Sequence, residues 1–250
     1  MYSIVILGTG NVASHMFKAL QASALCQVLQ VYNHKPESLE NFKKFTAVTT
    51  SISELKQADL YLLCLKDDVI SKIADQLSTL NGIVAHTSGS QSLLDRPNSA
   101  VFYPLQTFSK GSKLDYSKIP FCLEAYSEKN LNRLKDIAQS ISTVVFEINS
   151  SQRQTLHRAA VFVCNFTNYL YAIGEDICNK DDMPFDILKA LIKETADKVQ
   201  TNSPSQVQTG PAIRNDQTTI NKHLGEISNT NHKAIYKLLT ESIIKKYDKL

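Results

Sequence analysis

The sequence predicts an α/β domain followed by an all-helical domain, and three observations support this prediction. Short apolar runs alternate with amphipathic runs as far as residue 149, which is typical of strands and helices around a mainly parallel sheet. From Ser150 onward, β-branched runs disappear and apolar residues recur every three or four positions. A chain of 250 residues is long enough for one or two domains with a large buried core. We therefore place the two domains at residues 1–149 and 150–250.

The first domain contains eight apolar runs of strand length. They are Ser3–Leu7, Gln27–Tyr32, Ala47–Thr49, Leu60–Cys64, Gly82–His86, Ala100–Tyr103, Phe121–Glu124 and Val144–Ile148. Helical spacing is found between them at Val12–Ser23, Asp67–Leu77 and Glu128–Ser140, and Pro36 favours a first helical turn.

The second domain begins with a long amphipathic segment. Apolar residues from Leu156 to Ile177 predict a helix of about 25 residues. Further helices are predicted at Pro184–Val199 and Ser228–Lys246. The polar segment Gln200–Thr219 lies between them and is a candidate functional loop.

Charge and cysteine content exclude several classes of protein. Lys and Arg number 27 against 24 Asp and Glu, and no basic tail or stripe indicates a nucleic-acid partner. The five cysteines lack the spacing of a zinc site and are typical of reduced thiols in the cytoplasm. The longest apolar run, Leu60–Leu65, is too short to span a membrane, and the first residues do not form a signal peptide. We expect a cytoplasmic protein without a membrane or metal partner.

A glycine-rich turn follows the first strand and opens the first helix. In this turn Gly8 allows a tight bend, and Gly10 lets the backbone approach a pyrophosphate at the helix N-terminus. The motif predicts dinucleotide binding, and the alternative is a tight turn without a ligand. The residues expected to contact the dinucleotide here are Gly8, Thr9, Gly10, Asn11 and Val12.

The end of the second strand bears on which dinucleotide is bound. Enzymes that use NAD place an acidic residue there to bind the ribose 2′-hydroxyl, whereas this chain has Asn33. The residues that follow, His34, Lys35 and Ser38, can bind a 2′-phosphate, which favours NADP. The alternative is an ordinary solvated turn before a helix that begins with proline.

Small polar residues follow the fifth strand in the segment His86–Ser90, at the sheet edge where ligands of α/β folds bind. Small polar residues there can line the nicotinamide, and we expect His86 and Ser88 to bind the cofactor and Ser88 also to bind a substrate oxygen. Leu65 and Lys66, after the fourth strand, are further expected cofactor contacts. Alternatively, serines of this segment only cap a short helix at Gln91–Leu94.

Proline interrupts the sixth strand in the sequence Tyr103-Pro104-Leu105-Gln106-Thr107. The interruption can turn Gln106 and Thr107 toward the same sheet edge. Alternatively, Pro104 only marks an edge strand, where a missing N–H group is tolerated.

On the long helix, His157 and Asn168 are 11 residues apart, which is about 20° from alignment in an α-helix, and Asn165 lies about 60° further round. These side chains can project together into a cleft between the domains, with His157 as a proton donor near neutral pH. Alternatively, they are ordinary packing residues. In the polar segment, Thr209 and Arg214 can contact substrate, the arginine as a carboxylate ligand. Arg214 can equally pair with Asp216.

Five motifs together resemble a bacterial family of Rossmann-like proteins related to pyrroline-5-carboxylate reductase, ketopantoate reductase and F420-dependent NADP oxidoreductase. The motifs are residues 6–13, 86–90, 102–108, 156–166 and 208–216. The resemblance implies a Rossmann-type domain followed by a helical domain like the C-terminal domain of 6-phosphogluconate dehydrogenase. Standard ketopantoate reductases carry a Lys-x3-Asn-x3-Asn pattern, and alignment of its last Asn with Asn165 puts His157 in the place of the lysine and Val161 in the middle position.

These observations favour an NADP-dependent reductase of a small carbonyl or imine that bears a carboxylate. The alternative is a non-catalytic NADP-binding sensor or scaffold. A polar cleft beside residues 86–90 would favour the enzyme, and a cleft filled by apolar side chains would favour the sensor. We also expect a homodimer through the helical domain, because Phe162, Phe166, Tyr169 and Leu170 spread apolar surface around much of the long helix.

Overall fold

The computed structural model describes residues 1–248, so the last two residues of the predicted second domain lie outside the described chain. Its central feature is one eight-stranded sheet with the order β3-β2-β1-β4-β5-β6-β7-β8, in which only the β6–β7 pair is antiparallel. The strands are β1 (Tyr2–Leu7), β2 (Cys26–Tyr32), β3 (Ala47–Thr49), β4 (Leu60–Leu63), β5 (Ile83–His86), β6 (Ser99–Pro104), β7 (Phe121–Ala125) and β8 (Val145–Glu147). This arrangement confirms the predicted α/β fold.

Strand β1 shows why the apolar runs form the middle of the sheet. Ile4 and Ile6 point to one face and pack in the larger core cluster, whereas Val5 and Leu7 point to the other face and pack in a second cluster. A strand covered on both faces must be apolar at every position, as this one is. Helices α1 (Asn11–Ala22), α2 (Asp67–Gln76) and α3 (Glu128–Gln139) follow strands of the sheet and bury one side each.

The chain after β8 is helical, as predicted. The long predicted helix consists of α4 (Ser150–Ala160), a π-helical segment at Val161–Phe166 and α5 (Thr167–Lys180). The remaining helices are α6 (Lys189–Thr201), α7 (Gln217–Glu226) and α8 (Thr230–Tyr247). Helix α7 was not predicted, because it begins with polar residues of the segment assigned as a loop. The side chain of Asp216 starts it by accepting a hydrogen bond from the Thr219 amide.

By its internal contacts the chain forms two compact units, Met1–Asn165 and the chain from Phe166 onward. Helix α4 belongs to the first unit because Arg153 is fully buried and pairs with Glu124 of β7. The boundary of 149/150 drawn from the sequence stays a prediction. In residues 1–248 no helix combines the length and the apolar composition needed to cross a bilayer.

Candidate active site

A cleft of about 440 Å³ opens at the edge of the sheet where the parallel strands β1, β4, β5 and β6 end. Each of these strands delivers its following residues to this edge, and α4 adds one side chain. The lining residues are Gly10, Asn11, Val12, Cys64, Leu65, Asp67, Thr87, Ser88, Gly89, Ser90, Tyr103, Pro104, Gln106, Phe108 and His157. All of them belong to the first unit.

The two glycines of the first turn have different structural roles. Gly8 has a φ of +118°, and a Cβ atom there would lie 2.2 Å from the carbonyl oxygen of Cys64. The fold itself therefore requires glycine at position 8. At Gly10, a Cβ atom would meet none of the described protein atoms within 4 Å, so packing does not require glycine there. The predicted close approach of a dinucleotide to the backbone at Gly10 stays a prediction.

The N-terminus of α1 suits an anionic ligand. Gly10 is the N-cap residue and provides no side-chain cap, and the first turn has no acidic residue within the described chain. The free amide groups and the helix dipole of such a terminus attract phosphate. Asn11 donates from Nδ2 to the carbonyl oxygen of Phe108 at 3.0 Å and so joins the turn to the loop after β6. The residues present therefore fit a dinucleotide pyrophosphate.

Asn33, directly after β2, uses both ends of its amide. Its Nδ2 donates to Thr9 Oγ1 at 2.7 Å, and its Oδ1 accepts from the amide of Lys35 at 2.9 Å. These bonds connect the glycine-rich turn to the segment that follows β2. His34 and Lys35 are exposed and Ser38 is half-buried. The segment thus begins with the uncharged Asn33 and carries one exposed cation, Lys35, and one exposed carboxylate, Glu37.

His86 braces the loop after β5 from within the sheet. It is fully buried, its Nδ1 accepts from the amide of Ser88 at 3.2 Å, and its Nε2 lies 3.2 Å from the carbonyl oxygen of Ser92. Burial lowers the pKa of His86 to about 4, with a further contribution from the charge of Arg153. The imidazole is therefore neutral, with its proton on Nε2. It is not among the residues that line the cleft, so its predicted contact with the cofactor stays a prediction.

Ser88 closes a tight turn in the same loop. Its Oγ accepts hydrogen bonds from the amides of Ser90 and Gln91 at 3.1 and 3.0 Å. The capping alternative for this segment is wrong, because residues 91–94 form bends and not a helix. Ser90 donates its hydroxyl proton to the carboxylate of Asp67 at the start of α2. The turn thereby places a row of hydroxyl groups along the cleft.

Helix α4 holds this loop from the other side. Arg153 donates to the carbonyl oxygen of Gln91 and pairs with Glu124, and Gln154 Nε2 donates to the carbonyl oxygen of Ser90 at 3.0 Å. A buried arginine must be paired in this way, because an isolated buried charge is strongly unfavourable. The loop after β5 is consequently held by His86 on one side and by helix α4 on the other.

His157 and Tyr103 form a hydrogen-bonded pair in the cleft. The Tyr103 hydroxyl lies 3.1 Å from His157 Nδ1, and burial raises the pKa of Tyr103 to about 12. Gly89 provides the space for the pair, since a Cβ atom there would lie 2.6 Å from His157 Nδ1. Sequence reasoning chose His157 but missed Tyr103 as a site residue. The signal that could have identified Tyr103 is its position at the end of a parallel strand, where ligands of such sheets bind.

The proline after Tyr103 does not mark an edge strand, so that alternative is wrong. Strand β6 lies between β5 and β7, and its last pair with β5 is at Val101. Pro104 comes after that pairing has ended, so its missing N–H group breaks no bond to β5. The chain then turns, and Gln106 lines the cleft whereas Thr107 does not.

Four other predicted site residues lie outside the lining of this cleft. Lys66 and Asn165 are exposed, and the π-helical segment that contains Asn165 breaks the α-helical alignment assumed for His157 and Asn168. Thr209 and Arg214 are exposed residues of the second unit. Asp216 caps α7, and hydrogen bonds from the amide and hydroxyl of Thr219 lower its pKa, with a smaller contribution from the charge of Arg214. The catalytic roles of Asn165, Thr209 and Arg214 stay predictions.

We searched residues 1–248 for a group of side chains that could bind a metal ion. Nowhere in residues 1–248 do three or more His, Cys, Asp or Glu side chains gather in a group that could hold a metal ion. The acidic side chain in the cleft, Asp67, bonds to Ser90 instead.

Comparisons with known proteins agree with this geometry. Residues 3–85 match the family described as NADP oxidoreductase, coenzyme F420-dependent, and residues 119–243 match the domain of unknown function DUF2520. A crystal structure from Bacteroides fragilis, of a protein provisionally named an NADP oxidoreductase, shares 37% identity, covers 98% of each chain and has a TM-score of 0.91. No curated protein matches the sequence.

Two more distant structures share the fold. A protein of Thermotoga maritima is 20% identical, with 98% of both chains covered and a TM-score of 0.74. A pyrroline carboxylate reductase of Plasmodium falciparum, solved with NADP bound, is 13% identical, with 98% of this chain and 97% of that chain covered and a TM-score of 0.61. At these identities the likeness concerns the fold alone.

Proposed function

The chain belongs to a family that combines an NADP oxidoreductase domain, matched at residues 3–85, with a DUF2520 domain, matched at residues 119–243. We propose that it is an NADP-dependent reductase of a small carbonyl or imine that bears a carboxylate. The polar cleft at the carboxyl edge of the sheet carries this proposal. It combines a dinucleotide-binding turn, a row of hydroxyl groups and a Tyr–His pair in one space. An open cleft with a few convergent polar groups is typical of an enzyme site, and the open space disfavours a sensor in which apolar side chains fill the cleft.

For the cofactor we propose NADP in preference to NAD. Bound NADPH would supply the hydride to the substrate. The turn at Gly8–Val12 would hold the pyrophosphate at the start of α1, with Leu65 beside it at the end of β4. His34, Lys35 and Ser38 would hold the 2′-phosphate, because Asn33 brings no negative charge to repel it.

For the substrate we propose contacts at the loop after β5 and at α4. Reduction of a C=O or C=N bond also requires a proton, and His157 with its partner Tyr103 lies in the cleft to provide it. Ser88 would bind the oxygen or nitrogen atom that is reduced. No Lys or Arg is among the described residues that line the cleft. The predicted role of Arg214 as the carboxylate ligand stays a prediction.

We further propose that the protein is a homodimer through its helical unit. Within residues 166–248, three residues are buried, Ala212, Ile220 and Thr240. Large apolar side chains there remain exposed, including Leu191 at 62% and Leu238 at 64%. A second copy of the chain would cover this apolar surface.

The experiment that tests the reductase proposal is a screen for NADPH oxidation with two groups of compounds. The first group contains 2-oxo acids such as ketopantoate, and the second contains cyclic imines such as 1-pyrroline-5-carboxylate. We expect turnover with at least one group and tighter binding of NADPH than of NADH in fluorescence titrations. Binding of NADPH without turnover in either group would instead support the sensor.

A further inference from the structure

We propose that Tyr103 is the residue that passes the proton to the substrate and that His157 is a positioning residue which also returns a proton to Tyr103. This inference rests on the proposed reductase function. It assigns a catalytic role to Tyr103, which the sequence motifs do not indicate, and it changes the role of His157 from direct to indirect.

The first observation is the way the two side chains meet. Tyr103 comes from the end of β6 and His157 from α4, and both line the cleft. The hydroxyl oxygen lies 3.1 Å from Nδ1, and the two rings are nearly perpendicular at 75° with 6.1 Å between their centroids. Nδ1 is thus occupied by Tyr103, and within the described chain no hydrogen bond to Nε2 is found.

The second observation is the fit of the neighbouring loop. Gly89 does not have a positive φ, so its backbone conformation does not require glycine. Its lack of a side chain matters for space: a Cβ atom would lie 2.6 Å from His157 Nδ1 and 2.9 Å from Tyr103 Cζ. The loop after β5 therefore packs directly against the Tyr–His pair.

The third observation is the protonation state of the phenol. Burial raises the pKa of Tyr103 to about 12, so the hydroxyl group keeps its proton throughout the neutral range. An isolated phenol with this pKa releases its proton reluctantly. A hydrogen bond from Nδ1–H of a protonated His157 stabilises the developing phenolate and makes the transfer easier.

As the hydride reaches the carbon of the C=O or C=N bond, the Tyr103 O–H bond breaks and a new O–H or N–H bond forms on the substrate. The phenolate then takes the Nδ1 proton of the His157 imidazolium, which leaves a neutral imidazole. Solvent returns a proton to the imidazole before the next turnover.

The test compares Tyr103→Phe, His157→Ala, His157→Asn and the double variant Tyr103→Phe/His157→Ala with the full-length wild-type protein. The assay is NADPH oxidation with 1-pyrroline-5-carboxylate or ketopantoate. Tyr103→Phe should lower kcat roughly 10²–10⁴-fold with KM changed only slightly. The double variant should be no slower than Tyr103→Phe, because His157 acts through Tyr103. His157→Asn, whose amide can donate near the position of Nδ1, should recover part of the activity that His157→Ala loses.

A matched control is Tyr236→Phe, which removes another Tyr–His hydrogen bond, 2.8 Å between Tyr236 and His223 Nδ1 in the helical unit. This variant should keep the wild-type kcat. Nitrogen NMR of the protein without cofactor gives a second measurement: the ring nitrogens of His157 should shift in Tyr103→Phe and stay unchanged in Tyr236→Phe.

Each outcome has a separate meaning. A Tyr103→Phe variant with wild-type kcat overturns the donor role of Tyr103 while the reductase function stands. Losses in the two single variants that multiply in the double variant overturn the indirect role of His157. Unchanged His157 resonances in Tyr103→Phe overturn the pair itself. A wild-type protein that binds NADPH but reduces neither compound overturns the proposed function for both compounds, and the donor role with it.

Discussion

The two compact units of this chain differ in how much of their own apolar surface they bury. The sheet unit contains the three core clusters found in the described chain, and the middle strands of its sheet are buried on both faces. In the helical unit, the described residues include three buried ones, while side chains such as Ile187 and Leu191 are each 62% exposed. The comparison indicates that the sheet unit derives its stability from its own core, whereas the described residues of the helical unit leave large apolar side chains exposed.

The same contrast applies to chemistry. The lining of the cleft comes from the sheet unit, including α4, and its side chains are held by hydrogen bonds between neighbouring loops. Precise placement of this kind requires a rigid support, which the sheet provides. We propose that the helical unit serves assembly instead.

Gly8→Ala should strongly destabilise the sheet unit. The added methyl group would collide with the Cys64 carbonyl oxygen, and the φ of +118° is unfavourable for alanine. We expect a loss on the order of 3 kcal/mol in the free energy of unfolding, measured by urea titration. The matched variant Gly10→Ala should unfold like wild type and yet bind NADPH at least tenfold more weakly. Equal stability of the two variants would contradict the separate roles of these glycines.

A carboxylate introduced on the apolar surface of the helical unit should dissociate the proposed dimer. Leu191→Asp places a carboxylate on the surface that we expect a second copy to cover, and burial of an unpaired charge costs several kcal/mol. Light scattering should show the mass of one chain for this variant and of two chains for wild type. Leu25→Asp, at a residue of the sheet unit that is 48% exposed, should leave the mass at two chains. A wild-type mass of one chain would show that the helical unit has no partner copy.

The free energy of unfolding should fall at mildly acidic pH because His86 is buried and neutral in the sheet unit. In the unfolded chain His86 binds a proton below about pH 6.5, whereas in the folded protein it stays neutral down to about pH 4. The unfolded state therefore binds more protons in this window, and the free energy of unfolding decreases by on the order of 3 kcal/mol as pH falls from 6.5 to 4. His86→Gln should flatten this part of the profile, and replacement of the exposed His34 by Gln should not. A profile that His86→Gln leaves unchanged would contradict the buried neutral state.

Reversal of one exposed charge should have the smallest effect and should leave both units intact. Lys35→Glu should erase the preference for NADPH over NADH, a change of about tenfold or ~1.4 kcal/mol, without altering stability. Lys44→Glu gives the same change in net charge on an exposed residue and should keep the preference. Titration of both cofactors by fluorescence measures the ratio, and equal affinity in wild type would remove the role of Lys35.

Structural features that depend on residues close together in the sequence could be predicted. The eight strands and the helices α1, α2 and α3 were predicted to within one or two residues, because alternating burial and helical periodicity are local properties. The glycine-rich turn was recognisable for the same reason, since strand, Gly8 and helix follow one another along the chain. Helix α7 was missed because its apolar side is short and its cap, Asp216, lies in a polar segment.

Contacts between residues far apart in the sequence could not be predicted, although one of the residues involved could be. His157 was chosen from the chemistry of its side chain, but its partner Tyr103 is 54 positions earlier in the sequence. The buried pair of Arg153 and Glu124 and the bond from Ser90 to Asp67 were missed for the same reason. No local pattern reports contacts between residues so far apart.

Local patterns in the sequence were enough to predict the order of strands and helices, the place of the dinucleotide turn and the Asn in place of an acidic residue directly after β2. These features depend on neighbours along the chain, through the periodicity of apolar side chains and the conformational freedom of glycine. Only the tertiary structure decided that Tyr103, Gly89 and His157 meet, that His86 is a buried neutral brace, and that β6 is an inner strand with an antiparallel neighbour. Those outcomes depend on how parallel strands bring distant loops to one edge of the sheet, where close packing and desolvation then fix the partner and the charge of each side chain.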